Sequence, residues 1–146
     1  MGPDSIAILP AAPAAVRNRD TDFRYRQDSD FYYLSGFAEP EAVICLIPNR
    51  PQGEFILFCR ERDREREIWD GYRAGVEGAI ELYGADDSYP IGKLDEIIPG
   101  LMEGKKKVYV NLGAQPDFDT RVMGWVSHLQ GRARQGVKAP GEFLIL

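Results

Sequence analysis

Residues 42–47 read AVICLI and residues 54–59 read EFILFC, with Pro48-Asn49-Arg50-Pro51-Gln52-Gly53 between them. Both runs are apolar on each alternating face, and strands of that kind belong in the middle of a sheet that helices cover on both sides. The intervening residues are turn chemistry, so the two runs pair as an antiparallel hairpin. If the turn centres near Arg50–Pro51, Cys45 faces roughly position 56 and is not opposite Cys59. A disulfide between them is therefore not expected, and both read as buried, reduced thiols.

Outward from the hairpin, Ser5–Ala12 is apolar enough for another buried strand, and Lys107–Leu112 (KVYVNL) for a third. Ser29 or Asp30 caps a short helix through Tyr33 and Leu34, and Gly36 supplies its left-handed stop. Arg60–Glu67 reads as a charged loop, followed by IWDGYRAG and a helix over Val76–Tyr83 that stops at Gly84. Ile91, Leu94, Ile97, Ile98 and Leu101 repeat at helical spacing, with Pro99 expected to kink or end that helix early. Phe118, Val122, Trp125, Val126 and Leu129 form a second helical stripe, introduced by Pro116 and Asp117. The pattern is an α/β layered domain with a mixed sheet.

The chain has 146 residues, which suits one domain able to bury roughly 68–70% of its unfolded surface. Hydrophobic content of 44% and charged content of 28% place it among folded globular chains. A net charge of −5 argues against a nucleic-acid partner unless basic residues gather on one face. They do not gather. Arg60, Arg62, Arg64 and Arg66 alternate with Glu61, Asp63, Glu65 and Glu67, and Lys105–Lys107 simply precede a strand. Met1–Ala15 lacks a basic leader and is broken by Pro10 and Pro13, and no run of about 20 apolar residues occurs. The expectation is a cytoplasmic protein with no membrane partner.

Catalytic constellations are absent from the pattern. His128 is the lone histidine and sits at the edge of a helical stripe, which is no basis for a metal site. The serines have no base beside them, neither cysteine lies in an activating motif, and Gly71, Gly75 and Gly78 do not follow a strand as a phosphate loop requires. Asp86-Asp87 and Asp117/Asp119 stand where turns and helix starts favour carboxylates. Two features rise above this background. Residues 20–33 interleave Asp20, Arg26, Asp28 and Asp30 with Phe23, Tyr25, Phe31, Tyr32 and Tyr33, and Trp69 stands in a polar loop beside Gly71. The first reads as an ion-pair and aromatic brace or a site wall. Trp69 reads either as packed on its own domain or as an exposed anchor.

The string YRQDSDFYYLSGFAEPEAV (25–43), with RNRD (17–20) upstream, Cys59-Arg60, Glu67-Ile68-Trp69-Asp70-Gly71 and Lys138-Ala139-Pro140, resembles the N-terminal domain of Xaa-Pro aminopeptidases (aminopeptidase P), in the creatinase/prolidase family. That resemblance implies a mixed, about six-stranded sheet flanked by helices over residues 1–146, with the catalytic C-terminal pita-bread domain absent. It implies a parent enzyme that releases the N-terminal residue from Xaa-Pro peptides, using two manganese ions held by two Asp, one His and two Glu of the missing domain. No catalytic residue and no metal ligand is then expected in this chain, which alone should be inactive. By the same resemblance Asp20 and Trp69 are candidates for the substrate pocket or a subunit contact, and Tyr25, Arg26, Gln27 and Asp30 are bracing residues. The implied partners are the chain's own catalytic domain, further copies in a dimer or tetramer, and a proline-containing peptide. Two alternatives stay open, a stand-alone peptide-binding or assembly module on the same fold and the N-terminal domain of a prolidase. The sequence departs from the family in starting without an arginine-rich helix before the first strand, and in Phe23 where a tyrosine is common.

Overall fold

The hairpin takes the register its turn dictates: β2 (Val43–Leu46) pairs antiparallel with β3 (Phe55–Cys59), with Cys45 opposite Ile56. Both cysteines are buried and free. The structure, a computed structural model, describes residues 2–13 and 25–145. Within them β1 (Ser5–Pro10) pairs antiparallel with β2 on one side and parallel with β5 (Lys107–Val110) on the other. The strands β4 (Asp87–Pro90) and β6 (Glu142–Ile145) add in parallel at the two edges. The described sheet is therefore mixed and six-stranded, in the order β4-β3-β2-β1-β5-β6.

Strand alternation sorts the apolar residues into two cores. Ile6, Ile8, Val43, Cys45, Ile56, Phe58, Val108 and Val110 face α4 (Leu94–Met102) and α5 (Pro116–Gly131), which contribute Leu94, Ile98, Met102, Val122, Trp125 and Leu129. Ala7, Leu9, Ile44, Leu57 and Cys59 face the other way, against Phe31 of α1 (Ser29–Ser35), Phe37, and Ala79 of α3 (Gly75–Tyr83). Each fully buried Phe, Ile or Leu in these layers contributes about 1.5–3 kcal/mol relative to exposure. Two layers of such residues are what a two-faced apolar hairpin requires.

Several local expectations change. The N-cap of α1 is Asp28, whose carboxylate accepts from Phe31 N at 3.0 Å, in place of Ser29 or Asp30. Gly36 and Gly84 do end α1 and α3 in the left-handed conformation. Pro99 does not end α4, which continues to Met102. A proline there forfeits the bond to the Asp95 carbonyl, and burial of its ring beside Ile98 and Met102 offsets that loss. Residues 64–70, expected in a charged loop, form the helix α2 (Arg64–Asp70). No apolar stripe drives it. Asp63 accepts from Arg66 N at 3.1 Å as the N-cap, and Glu65 and Glu67 complement the helix dipole in the first turn.

Candidate functional site

Between β3 and α3 the chain leaves the sheet at Arg60 and returns at Ala74, and α2 occupies the middle of this excursion. None of the seven α2 residues is buried. Polar contacts hold it instead. Glu67 accepts from the backbone N–H of Arg73 at 2.9 Å and of Asp63 at 3.2 Å, and its carboxylate lies 3.0 Å from Arg62 Nε. Glu39, on the loop before β2, accepts from Arg60 Nη2 at 3.3 Å and from Ala74 N at 2.9 Å. One carboxylate thus joins the entry of the excursion to its exit, and another ties both ends to the loop before β2.

Arg62 completes the arrangement. Its guanidinium carbon stands 5.1 Å from the centroid of the Tyr72 ring, a cation–π distance. Its methylenes pass over Gly75, where φ is +76° and an added Cβ would lie 2.6 Å from Arg62 Cγ, so only glycine fits there. Hydrogen bonding from Arg73 N is the main reason the Glu67 carboxyl is held below its ordinary value, and Arg62 adds to it against a smaller opposing effect of burial. The outward face of this polar assembly is apolar: Ile68, Trp69 and Tyr72 are all exposed, Trp69 at 84%.

Trp69 is therefore in the last turn of a helix, a correction to its expected place in a loop, and among the described residues it stands outward, 84% exposed. Asp20 lies outside the described residues. Gln27 and Tyr25 meet at the end of β1: the Gln27 amide donates to the carbonyls of Phe37 (3.2 Å) and Glu39 (2.9 Å), and its oxygen accepts from Ala12 N (2.8 Å). The Tyr25 hydroxyl donates to the Ala12 carbonyl, and burial pushes its pKa up to about 12. Arg26 and Asp30 are exposed and make no side-chain hydrogen bond among the described residues. Asp30 edges a groove of about 400 Å³ between α1 and the start of α5, floored by Ala7, Leu9 and Leu46.

Glu67, Glu39, Arg62 and Arg73 carry the geometry of the excursion and were not singled out for it in the sequence. Glu67 and Glu39 stand within the quoted strings, yet nothing local says which amide a carboxylate will reach. The one available signal was the four-residue step from the capping Asp63 to Glu67.

Among the described residues no three His, Cys, Asp or Glu side chains come together as a metal site. The best-placed carboxylates are already engaged: Glu39 and Glu67 as above, Asp87 by Arg50 and Tyr89, and Asp95 by Trp125 Nε1 at 2.9 Å and Arg121 at 3.1 Å. These donors do not fit the dinuclear centre that the resemblance implies for the parent enzyme. His128 is exposed on α5. Burial raises both thiols, Cys59 to about 11, which removes them as nucleophiles near neutrality. No helix of the described residues is long and apolar enough to cross a membrane. Among the described residues the arrangement offers an exposed apolar face on a polar mount.

Comparison with known proteins finds relatives along the length of the chain. Residues 1–109 match the model of the aminopeptidase P N-terminal domain. The Xaa-Pro aminopeptidase of Escherichia coli is 36% identical over 145 residues, covering 99% of this chain and 33% of that protein. Among solved structures, aminopeptidase PepP of Pseudomonas aeruginosa superposes with a TM-score of 0.95 at 62% identity, covering all of this chain and 33% of that one. The zinc-substituted E. coli aminopeptidase P in complex with product gives a TM-score of 0.91 at 36% identity, over 99% of this chain and 33% of that one. The chain spans about one third of the length of these relatives.

Proposed function

The chain belongs to the aminopeptidase P N-terminal domain family, and on that premise we propose that it is the non-catalytic N-terminal domain of a metal-dependent Xaa-Pro aminopeptidase, releasing the N-terminal residue from Xaa-Pro peptides. In this reading the catalytic centre, with its two manganese ions, belongs to a further domain of the same protein, and no chemical step falls to the residues described above. What this chain contributes is a wall. Trp69 closes one side of the substrate mouth, where a rigid aromatic face suits the compact, apolar ring of a proline.

The observation that carries this reading is the exposure of Trp69 together with the polar clamp beneath it. An indole 84% in water, on a helix with no buried residue, gains nothing for the fold. It gains its value when something covers it. Trp69→Ala in the full-length protein tests this. The expected result is a loss of roughly 1–3 kcal/mol in the binding of short Xaa-Pro substrates, read as a raised KM. Unchanged kinetics would sink the pocket-wall role.

Other parts of the reading have their own tests. The 146-residue chain, given an Xaa-Pro peptide and manganese, should show no turnover, and measurable hydrolysis would overturn the non-catalytic assignment. Asp20 approaches the same mouth, from its own or a neighbouring subunit, and Asp20→Asn should raise KM. Contacts between copies through this domain, and a cytoplasmic location, complete the proposal. The aminopeptidase names of the relatives support this choice over a prolidase.

A further inference from the structure

Trp69 has to stand in one place to serve as a wall, yet among the described residues α2 buries no side chain that could fix it. Successive helical residues are turned by about 100°, so Glu67 and Trp69 point roughly 200° apart, to opposite sides of α2. The structure shows this division: the Glu67 side chain is only 10% exposed, whereas Trp69 is 84% exposed. Whatever holds Glu67 inward therefore aims Trp69 outward.

We propose that Glu67 is a positioning residue for the substrate pocket, its carboxylate tying Asp63 and Arg62 before α2 to Arg73 after it and so fixing the direction of Trp69. The proposal rests on the pocket-wall reading of Trp69 and adds the residue that controls it. Three features separate Glu67 from an ordinary surface ion pair. It bonds two backbone amides on either side of the helix, 2.9 Å and 3.2 Å away, which a mobile side chain would not reach together. Its ion-pair partner Arg62 also lies over the Tyr72 ring and passes its methylenes across the backbone of Gly75. And the second tie, from Glu39 to Arg60 and to Ala74 N, fixes the two ends of the excursion to the loop before β2 and reaches no residue of α2, leaving the orientation of that helix to Glu67.

Removing the carboxylate strands the Asp63 and Arg73 amides and lets α2 swivel while the sheet stays folded. The test compares E67A, E67Q, W69A and the double variant E67A/W69A in the full-length protein. Amide exchange over residues 63–73 is measured alongside KM and kcat for an Xaa-Pro peptide. In E67A, exchange at Asp63 and Arg73 should rise roughly tenfold, and KM should rise by roughly three- to tenfold with kcat unchanged. E67Q, whose amide oxygen can still accept from one of the two amides, should recover part of both. E67A should add nothing to KM once Trp69 is gone, because the two residues act through one another. Unchanged exchange in E67A, or a KM for the double variant equal to the full product of the single effects, overturns the proposal. The two layers fail separately. Raised exchange in E67A with normal kinetics in W69A removes the pocket wall and leaves the clamp, whereas normal exchange with impaired W69A removes the clamp and leaves the wall.

Discussion

The sheet and the excursion over residues 60–74 are held by opposite means. Across β1–β3 nearly every side chain enters one of two apolar cores, and β1 alone buries Ser5, Ile6, Ala7, Ile8 and Leu9. In α2 nothing is buried, and a few carboxylates supply the geometry. Apolar layers are redundant, non-directional and insensitive to pH. A carboxylate clamp is directional, local and lost with one proton. The difference teaches that a rigid scaffold can present an exposed element held by few polar bonds, so that the element is free to change without endangering the fold.

The largest perturbation should come from the sheet. Phe58→Ala empties a fully buried site beside the Tyr89 ring and should cost about 3–5 kcal/mol in the urea unfolding of the chain. A smaller loss would mean the two layers are not tightly packed. Glu39→Ala attacks the seam between the two regions: it leaves the Arg60 guanidinium, with a side chain 12% exposed, without its partner. The same substitution strands Ala74 N. About 3 kcal/mol should be lost, together with amide protection over residues 60–74. If that protection survived, the excursion would be held by something other than its carboxylates.

Acid should separate the regions without mutation. The folded Glu67 carboxyl lies below its ordinary value of 4.5, so its stabilising contribution is complete above that value and disappears as pH falls through the lower, folded one. Arg62, Arg66, Arg73 and Asp63 are the charged groups around it. Exchange protection at Arg73 and Asp63, corrected for the intrinsic pH dependence, should fall below pH 4.5 while that of β1 and β2 persists. Loss of both sets together would mean that the regions unfold as one unit. The smallest effect is expected for Trp69→Ala, which should leave the unfolding midpoint of the chain within about 0.5 kcal/mol of wild type. A larger loss would show that the indole packs on its own domain after all.

The same contrast explains what the sequence could convey. AVICLI and EFILFC state their pairing, register and burial in their own composition, because each side chain's role depends only on which face it is on. The stripes of α4 and α5 are legible for the same reason. The segment DREREIW has no such code: alternating charge looks like loop, and the helix exists because Asp63 accepts from Arg66 N and Glu67 from Asp63 N and Arg73 N, local bonds that rest on spacing and not on composition. β4 was missed for a related reason. DSYP is short, polar and ends in proline, and it becomes a strand because β3 offers an edge and Arg50, reaching Asp87 at 3.1 Å, ties it there. Trp69 could be picked out as an unexplained apolar ring, but the residues that orient it could not.

The first strand of the chain sits at the centre of the sheet, and this orders the way the molecule is made. β2 and β3 meet across a short turn and can zip as soon as residue 59 is available. β1 pairs with β2 early on one edge, but its other edge waits for Lys107–Val110, about a hundred residues further along the chain. Until then Ser5–Ile8 presents open hydrogen-bonding groups with apolar faces, the kind of edge on which growing chains associate. Newly synthesised copies are thus exposed to mispairing until residue 110 has been made, and the slow event in folding should be closure of the β1–β5 seam rather than formation of the hairpin.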